Sequence, residues 1–112
     1  MANESLPIAC DLNAFTGDER VCYEALATAV RSGVREVREL ADGFALRLDS
    51  SASQAAAEFV LFERRCCPFF RIALEWEPAA GPLWLRLTGG EGVKEFVAAR
   101  VRDVNPSAQC RC

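Results

Sequence analysis

The spacing of apolar residues predicts a first helix after a loose start over residues 1–15. Residues 16–19 match the Ser/Thr-x-x-Glu pattern of a capping box, and they place two acidic residues where the helix dipole favours negative charge. The residues that then recur at helical spacing are Cys22, Leu26, Ala29, Val30 and Gly33. Because such a stripe packs against the interior, it predicts that Cys22 faces the core.

Capping signals and helical spacing predict two further helices. One runs from an N-cap at residues 50–51 to Cys67, where Pro68 ends it. Its apolar stripe consists of Ala55, Phe59, Phe62 and Cys66. The other helix opens at a second capping box, residues 88–91, and ends near residues 105–106.

Two segments between these helices alternate apolar and polar residues, which is typical of half-buried strands. Residues 34–48 predict one hairpin with its turn at residues 41–43, and residues 70–88 predict a second with its turn at residues 78–82. The order becomes α-β-β-α-β-β-α. It predicts an α+β fold, in which two hairpins form a four-stranded antiparallel sheet with helices on one face.

Length and charge limit the classes of function. With 112 residues the chain fits one domain, predicted at residues 1–106, followed by a flexible Cys-x-Cys tail at residues 107–112. The net charge of -3 offers no basic surface for nucleic acid. The sequence has neither a signal-peptide pattern nor 18 consecutive apolar residues, so we expect no membrane association and a cytoplasmic location.

Six cysteines and no histidine indicate chemistry at sulfur. Without histidine the chain has no Ser-His-Asp or Cys-His unit, which argues against a hydrolase and leaves enzymatic activity an open question. Cytosolic thiols are mostly kept reduced, so a cysteine-rich cytosolic chain is more often metal-binding or redox-active than stapled by disulfides. Thiolates prefer soft ions, which narrows the candidates to Hg(II), Cu(I), Zn(II), Cd(II), As(III) or haem iron.

The vicinal pair Cys66 and Cys67 is the first candidate for metal ligands. The negative end of the helix dipole disfavours thiolates at a helix C-terminus, but Arg64, Arg65 and Arg71 are near enough in sequence to offset this cost. Neighbouring helical positions differ by about 100° in direction, which predicts that only one of the two cysteines is fully in the core. On the alternative interpretation, Cys66 is a small buried apolar residue.

Cys110 and Cys112 at the end of the chain form the second candidate. Their Cys-x-Cys spacing resembles the tail of copper chaperones for superoxide dismutase and, more distantly, the cysteine-pair tail of mercuric reductase. The resemblance implies a tail that captures metal and exchanges it with the internal pair, or with a thiol-bearing donor or acceptor protein. Cys10, in the segment before the first helix, is a candidate third ligand.

Residues 63–70, together with residues 84–89 and 92–96, resemble a family of small, largely uncharacterised bacterial proteins that contain a Cys-Cys-Pro-Phe core. That family is associated with heavy-metal, especially mercury, resistance. The resemblance implies a soft-metal protein in which the adjacent cysteines matter, with Hg(II) favoured and Cu(I), Zn(II) or As(III) as alternatives.

Three hypotheses of function remain. The first is a soft-metal binder or carrier that uses Cys66 and Cys67. The second is a thiol enzyme for disulfide exchange or organomercurial cleavage, in which Cys67 attacks and another cysteine resolves. Glu63 is a candidate proton donor or acceptor for the cleavage, but its preferred interpretation is an ion pair with an arginine on the helix surface. The third is a haem-responsive module with Cys67 as axial ligand, indicated by the Cys-Pro sequence. A homodimer remains open under each hypothesis.

Overall fold

The computed structural model describes residues 11–101. Its helices and strands, in chain order, are α1 (Gly17–Gly33), β1 (Val34–Leu40), β2 (Gly43–Leu48), α2 (Ser53–Cys66), β3 (Arg71–Trp76), β4 (Leu83–Thr88) and α3 (Val93–Val101). Short 3-10 turns at Leu12–Ala14 and Ser50–Ala52 precede α1 and α2. Cys10, Cys110, Cys112 and the predicted end of the last helix lie outside the described residues.

The four strands form one antiparallel sheet in the order β1-β2-β4-β3. The first hairpin pairs β1 with β2, the second pairs β3 with β4, and the two hairpins join where β2 lies beside β4. Leu46 lies opposite Leu85 and Leu48 opposite Leu83 across this central junction. The predicted α+β fold and its element order are confirmed.

The helices cover one face of this sheet. Leucines at alternate positions of β2 and β4 point to that face because side chains alternate along a strand. These leucines share one core with helix residues, among them Leu46, Leu48, Leu83, Leu85, Leu87, Ala27, Val30, Ala56, Phe59, Val93 and Val97. Burial of each leucine contributes about 1.5–3 kcal/mol to the free energy of unfolding. None of the helices in the described part of the chain is long and apolar enough to cross a membrane.

Charged side chains lie over the opposite face of the sheet, which the helices do not cover. The Arg38 guanidinium lies 4.6 Å from the ring centroid of Trp84, and the indole nitrogen of Trp84 donates a hydrogen bond to Glu77. Arg47 pairs with Glu36 at 3.0 Å on this face. Trp84 is therefore buried although it does not belong to the core beneath the helices.

The first capping box is confirmed, but the buried stripe of α1 differs from the prediction. Thr16 caps the helix, and its side chain and that of Glu19 exchange hydrogen bonds with each other's backbone. Tyr23 takes the core position and stacks on Phe59 at a centroid distance of 5.7 Å. Because neighbouring helical residues point about 100° apart, burying Tyr23 turns Cys22 outward, and the prediction of a core-facing Cys22 is wrong.

Two details of the other helices also differ. Residues 50–52 form the 3-10 turn, so α2 begins at Ser53, with Ala52 as an N-cap that makes no side-chain hydrogen bond. The predicted capping box at residues 88–91 is wrong, because Thr88 is the last residue of β4 and its hydroxyl donates to the carbonyl oxygen of Arg71. The last helix begins only at Val93.

Candidate metal centre

The C-terminus of α2 places both sulfurs of the vicinal pair inside the protein. Cys66 is the last helical residue, and Cys67 leaves the helix with φ -129° and ψ 68°. This turn of the backbone brings Cys67 round to the interior, so both side chains are fully buried and their Sγ atoms are 3.5 Å apart. The prediction that only one of the two cysteines is in the core is wrong, because it assumed helical geometry through Cys67.

Backbone hydrogen bonds hold this turn in place. The Cys67 N–H donates to the carbonyl of Glu63 at 2.8 Å, which completes the last turn of the helix. The Asp11 N–H donates to the carbonyl of Cys66 at 2.8 Å, and the Phe70 N–H donates to that of Cys67 at 3.2 Å. Both carbonyls at the helix end are thus satisfied.

Glu63 lies one turn before the cysteines and is fully buried. Its Oε1 accepts a hydrogen bond of 2.6 Å from the Tyr23 hydroxyl, and its Oε2 accepts one of 2.9 Å from the Arg100 guanidinium. The predicted ion pair of Glu63 with an arginine is present, but its predicted place on the helix surface is wrong. The partner is Arg100 on α3, and the Glu63 side chain lies inside the protein. A buried carboxylate with two donors is the arrangement that low-dielectric surroundings require.

Glu63, Cys66 and Cys67 form a compact group of metal-ligand types. One carboxylate oxygen and the two sulfurs all lie within 4.8 Å of one another, and all three residues are buried. The group offers two soft sulfur donors and one harder oxygen donor. Once Cys67 is reduced, a single ion can contact all three side chains.

The surroundings of the Cys66 thiol favour its protonated form when no ion is bound. Burial raises the pKa of the Cys66 thiol above its ordinary value of 9.0, and the negative charge of Glu63 raises it further. Burial, followed by the charge of Glu63, also raises the pKa of Tyr23, so its hydroxyl stays a hydrogen-bond donor. Burial lowers the pKa of Arg100, but the charges and hydrogen bonds of Glu63 and Tyr23 together outweigh it, so that the pKa is raised.

The arginine beside the cysteines is not one of those predicted from sequence proximity. Arg64 and Arg71 are exposed, and Arg65 turns to Glu19 at 3.0 Å. The cation near sulfur comes from α3 instead, where the Arg100 guanidinium lies 3.9 Å from Cys67 Sγ. Arg100 therefore contacts both the carboxylate and one sulfur of the centre.

The described cysteines differ in their redox state. Cys22 and Cys66 carry free thiols, whereas Cys67 is disulfide-bonded. Ligation of an ion by both Cys66 and Cys67 therefore requires the reduced chain. Cys22 is exposed on α1 and is not part of the centre. The proposed ligands Cys10, Cys110 and Cys112 lie outside the described residues.

Comparison with known proteins adds no relative: no protein-family model, curated protein or solved structure matches the chain. The resemblance to bacterial heavy-metal resistance proteins stays a prediction. Function is therefore argued from the centre itself.

Proposed function

We propose that this protein is a cytoplasmic binder or carrier of a soft metal ion for heavy-metal resistance, with Cys66 and Cys67 as thiolate ligands and Glu63 as a third ligand. The observation that carries the proposal is the pair of buried sulfurs 3.5 Å apart beside a buried carboxylate. Reduced cysteine side chains bind soft ions as thiolates, and the buried carboxylate would add a third ligand.

The charges of the surrounding groups suit a divalent ion. Glu63 and Arg100 form an ion pair and cancel each other. Two thiolates added to this pair without an ion would leave two negative charges in a buried space, a costly arrangement. A divalent ion neutralises them, so binding couples to the release of thiol protons.

The separation of the sulfurs bears on which ion fits. If the reduced chain keeps the Sγ to Sγ distance of 3.5 Å, metal–sulfur bonds of about 2.3 Å give an angle of about 100° at the ion. A linear two-coordinate ion would need sulfurs about 4.6 Å apart. The centre suits bent, three- or four-coordinate binding of Zn(II), Cd(II) or As(III), and Hg(II) when Glu63 is its third ligand.

A thiol enzyme for disulfide exchange is the second candidate, and one observation favours it. The free Cys66 thiol lies 3.5 Å from the sulfur of the disulfide-bonded Cys67. An attack of Cys66 on that sulfur would form a strained bond between adjacent residues, which disfavours this reaction relative to metal binding. The haem hypothesis stays a prediction.

Metal competition on the reduced full-length chain tests the proposal. The protein, freed of reductant under nitrogen, is offered Hg(II), Cd(II), Zn(II), Cu(I) and As(III) together, and the retained metal is counted per chain. We expect about one ion per chain, and we expect the double variant Cys66→Ser and Cys67→Ser to lose tight binding. The matched control is Cys22→Ser, which removes a thiol outside the centre.

Three outcomes would count against the metal proposal. Equal retention by the double variant and the wild type would place the metal elsewhere. Catalytic turnover of a small disulfide, with no metal retained, would favour the thiol-enzyme candidate. A haem absorption band that depends on Cys67 would favour the third hypothesis.

A further inference from the structure

An apolar groove lies next to the candidate metal centre. The space between its walls, counted together with the solvent at its mouth, is about 530 Å³. Three helices and the helix-covered face of the sheet contribute its walls, namely Ala27, Val30, Arg31, Val34, Leu46, Phe59, Glu63, Phe70, Leu85, Leu87, Val97 and Arg100. Mostly apolar walls with a few charged side chains among them are typical of small-molecule sites.

The groove and the metal centre share two residues. Glu63 and Arg100 line the groove, and Glu63 also contributes an oxygen within 4.8 Å of both sulfurs. An ion bound to that oxygen lies about 2.0–2.2 Å from an atom of the groove wall. A substituent on such an ion therefore starts beside the groove wall at Glu63.

We propose that the groove holds the organic group of an organometal cation, a soft metal that carries one carbon substituent, while Cys66 binds the metal. This inference rests on the proposed function, because it uses Cys66 as a metal ligand. A bare ion has no apolar surface to bury in such a groove. Transfer of an aromatic or alkyl substituent from water into the groove, in contrast, is favourable. The rings of Phe59 and Phe70 supply aromatic surface for it.

The charge of the centre matches such a cation without a second thiolate. An organometal cation carries one positive charge, and the single thiolate of Cys66 neutralises it while Glu63 and Arg100 cancel each other. Cys66 carries a free thiol even though Cys67 is disulfide-bonded. We therefore expect organometal binding in both redox states of Cys67, in contrast to chelation of a bare ion by two sulfurs.

The binding step is a ligand exchange without oxidation or reduction. For an organometal chloride, the bond between the metal and Cys66 Sγ forms as the metal–chloride bond breaks. The thiol proton leaves with chloride as hydrochloric acid. The metal–carbon bond stays intact, and neither an oxidant nor a reductant takes part.

Competition between phenylmercuric and methylmercuric chloride tests the groove. Each is titrated against the full-length chain with Cys67 in its disulfide, and free cysteine serves as the competitor. Because the thiol chemistry is the same for both probes, any preference beyond that of free cysteine comes from the organic group. We expect the wild type to prefer the phenyl compound at least tenfold more strongly than free cysteine does.

A pair of substitutions on α1 sharpens the test. Ala27→Leu narrows the groove, and Ala29→Leu makes the same change at an exposed position of the same helix. We expect Ala27→Leu to remove most of the phenyl preference and Ala29→Leu to retain it. Both should retain Hg(II) when reduced, because neither substitution replaces a ligand.

The outcomes separate the groove from the metal centre. A wild type whose phenyl preference equals that of free cysteine overturns the groove proposal, whether or not Ala27→Leu folds. Retention of Hg(II) by the reduced chain in that case leaves the metal-binding proposal standing. Failure to retain phenylmercury at Cys66, together with failure of the reduced chain to retain Hg(II), overturns both proposals.

Discussion

The carboxylate of Glu63 on α2 accepts a hydrogen bond from the guanidinium of Arg100 on α3 at 2.9 Å, and the Glu63 side chain is only 1% exposed. This ion pair ties together two helices that are adjacent to the same sheet. It also fixes the carboxylate beside the two cysteine sulfurs. The stability of the fold and the charge of the candidate centre therefore depend on the same contact.

Removing the arginine should destabilise the protein more than removing an exposed partner. We expect Arg100→Met to lower the free energy of unfolding by about 2–4 kcal/mol, because it leaves the Glu63 charge buried without its cation. The estimate lies below the usual cost for a fully buried pair, since the Arg100 side chain is 36% exposed. Urea unfolding measures the effect.

The matched control for that change is Arg86→Met on the face of the sheet that the helices do not cover. Arg86 pairs with Glu75 at 2.7 Å, but the Glu75 side chain is 61% exposed. Exposed pairs contribute little, so the control should change the free energy of unfolding by no more than about 1 kcal/mol. Equal losses in the two variants would contradict the role given to the buried pair.

The tyrosine on the other side of the carboxylate provides a second prediction. Tyr23→Phe keeps the stacked ring but removes the hydroxyl that donates to Glu63, so it should lower the free energy of unfolding by about 1.5–3 kcal/mol. A double-mutant cycle with Glu63→Gln isolates the contact by urea unfolding. Additive losses in the cycle would show that the hydroxyl and the carboxylate do not interact.

The pH dependence of stability follows from the raised pKa of Cys66. The folded chain holds the thiol proton more tightly than the unfolded chain, in which the pKa has its ordinary value of 9.0. The free energy of unfolding is therefore unaffected by this group below pH 9 and falls as the pH rises above it. Unfolding curves in the metal-free, reduced protein should show a smaller alkaline loss in Cys66→Ala than in the wild type. An identical alkaline loss in both proteins would mean that this thiol has an ordinary pKa in the fold.

Local signals in the sequence predict the fold well and the centre only in part. The capping box at Thr16 and the two turn signals act over a few residues, so they can be recognised without tertiary contacts. The pairing of Glu63 with Arg100 joins positions 37 residues apart, and the contact with Tyr23 joins positions 40 apart. Only the packing of α1 and α3 against α2 brings these side chains together.

One signal for Glu63 was nevertheless present in the sequence. Phe59, Glu63 and Cys66 follow one another at helical spacing, so the stripe that places Phe59 and Cys66 in the core places Glu63 there as well. A charged residue on a buried stripe requires partners of its own. The burial of Cys67 had no such signal, because it depends on the backbone leaving the helix at that residue.

The terminal cysteines provide a kinetic prediction. If Cys110 and Cys112 pass metal to the internal pair, the variant with both replaced by serine should take up Hg(II) from a small dithiol more slowly. A tethered dithiol raises the local thiol concentration into roughly the millimolar range and passes an ion by ligand exchange. Stopped-flow absorbance measures the rates, with Cys22→Ser as control. Equal rates in the wild type and the double variant would make the terminal pair bystanders.

The redox state of Cys67 should control the affinity for bare Hg(II). When its sulfur is in a disulfide, the ion has only Cys66 as a thiolate ligand at the centre. A second ligand on the same chain raises affinity by about 10²- to 10⁴-fold, because its binding is intramolecular. We therefore expect the oxidised protein to bind Hg(II) that much more weakly, and reduction to restore the affinity. Competition with a small dithiol measures both states, and Cys67→Ser is the control because its affinity should be the same before and after reduction. Oxidised wild-type protein that binds Hg(II) as tightly as the reduced form would show that Cys67 is not a ligand.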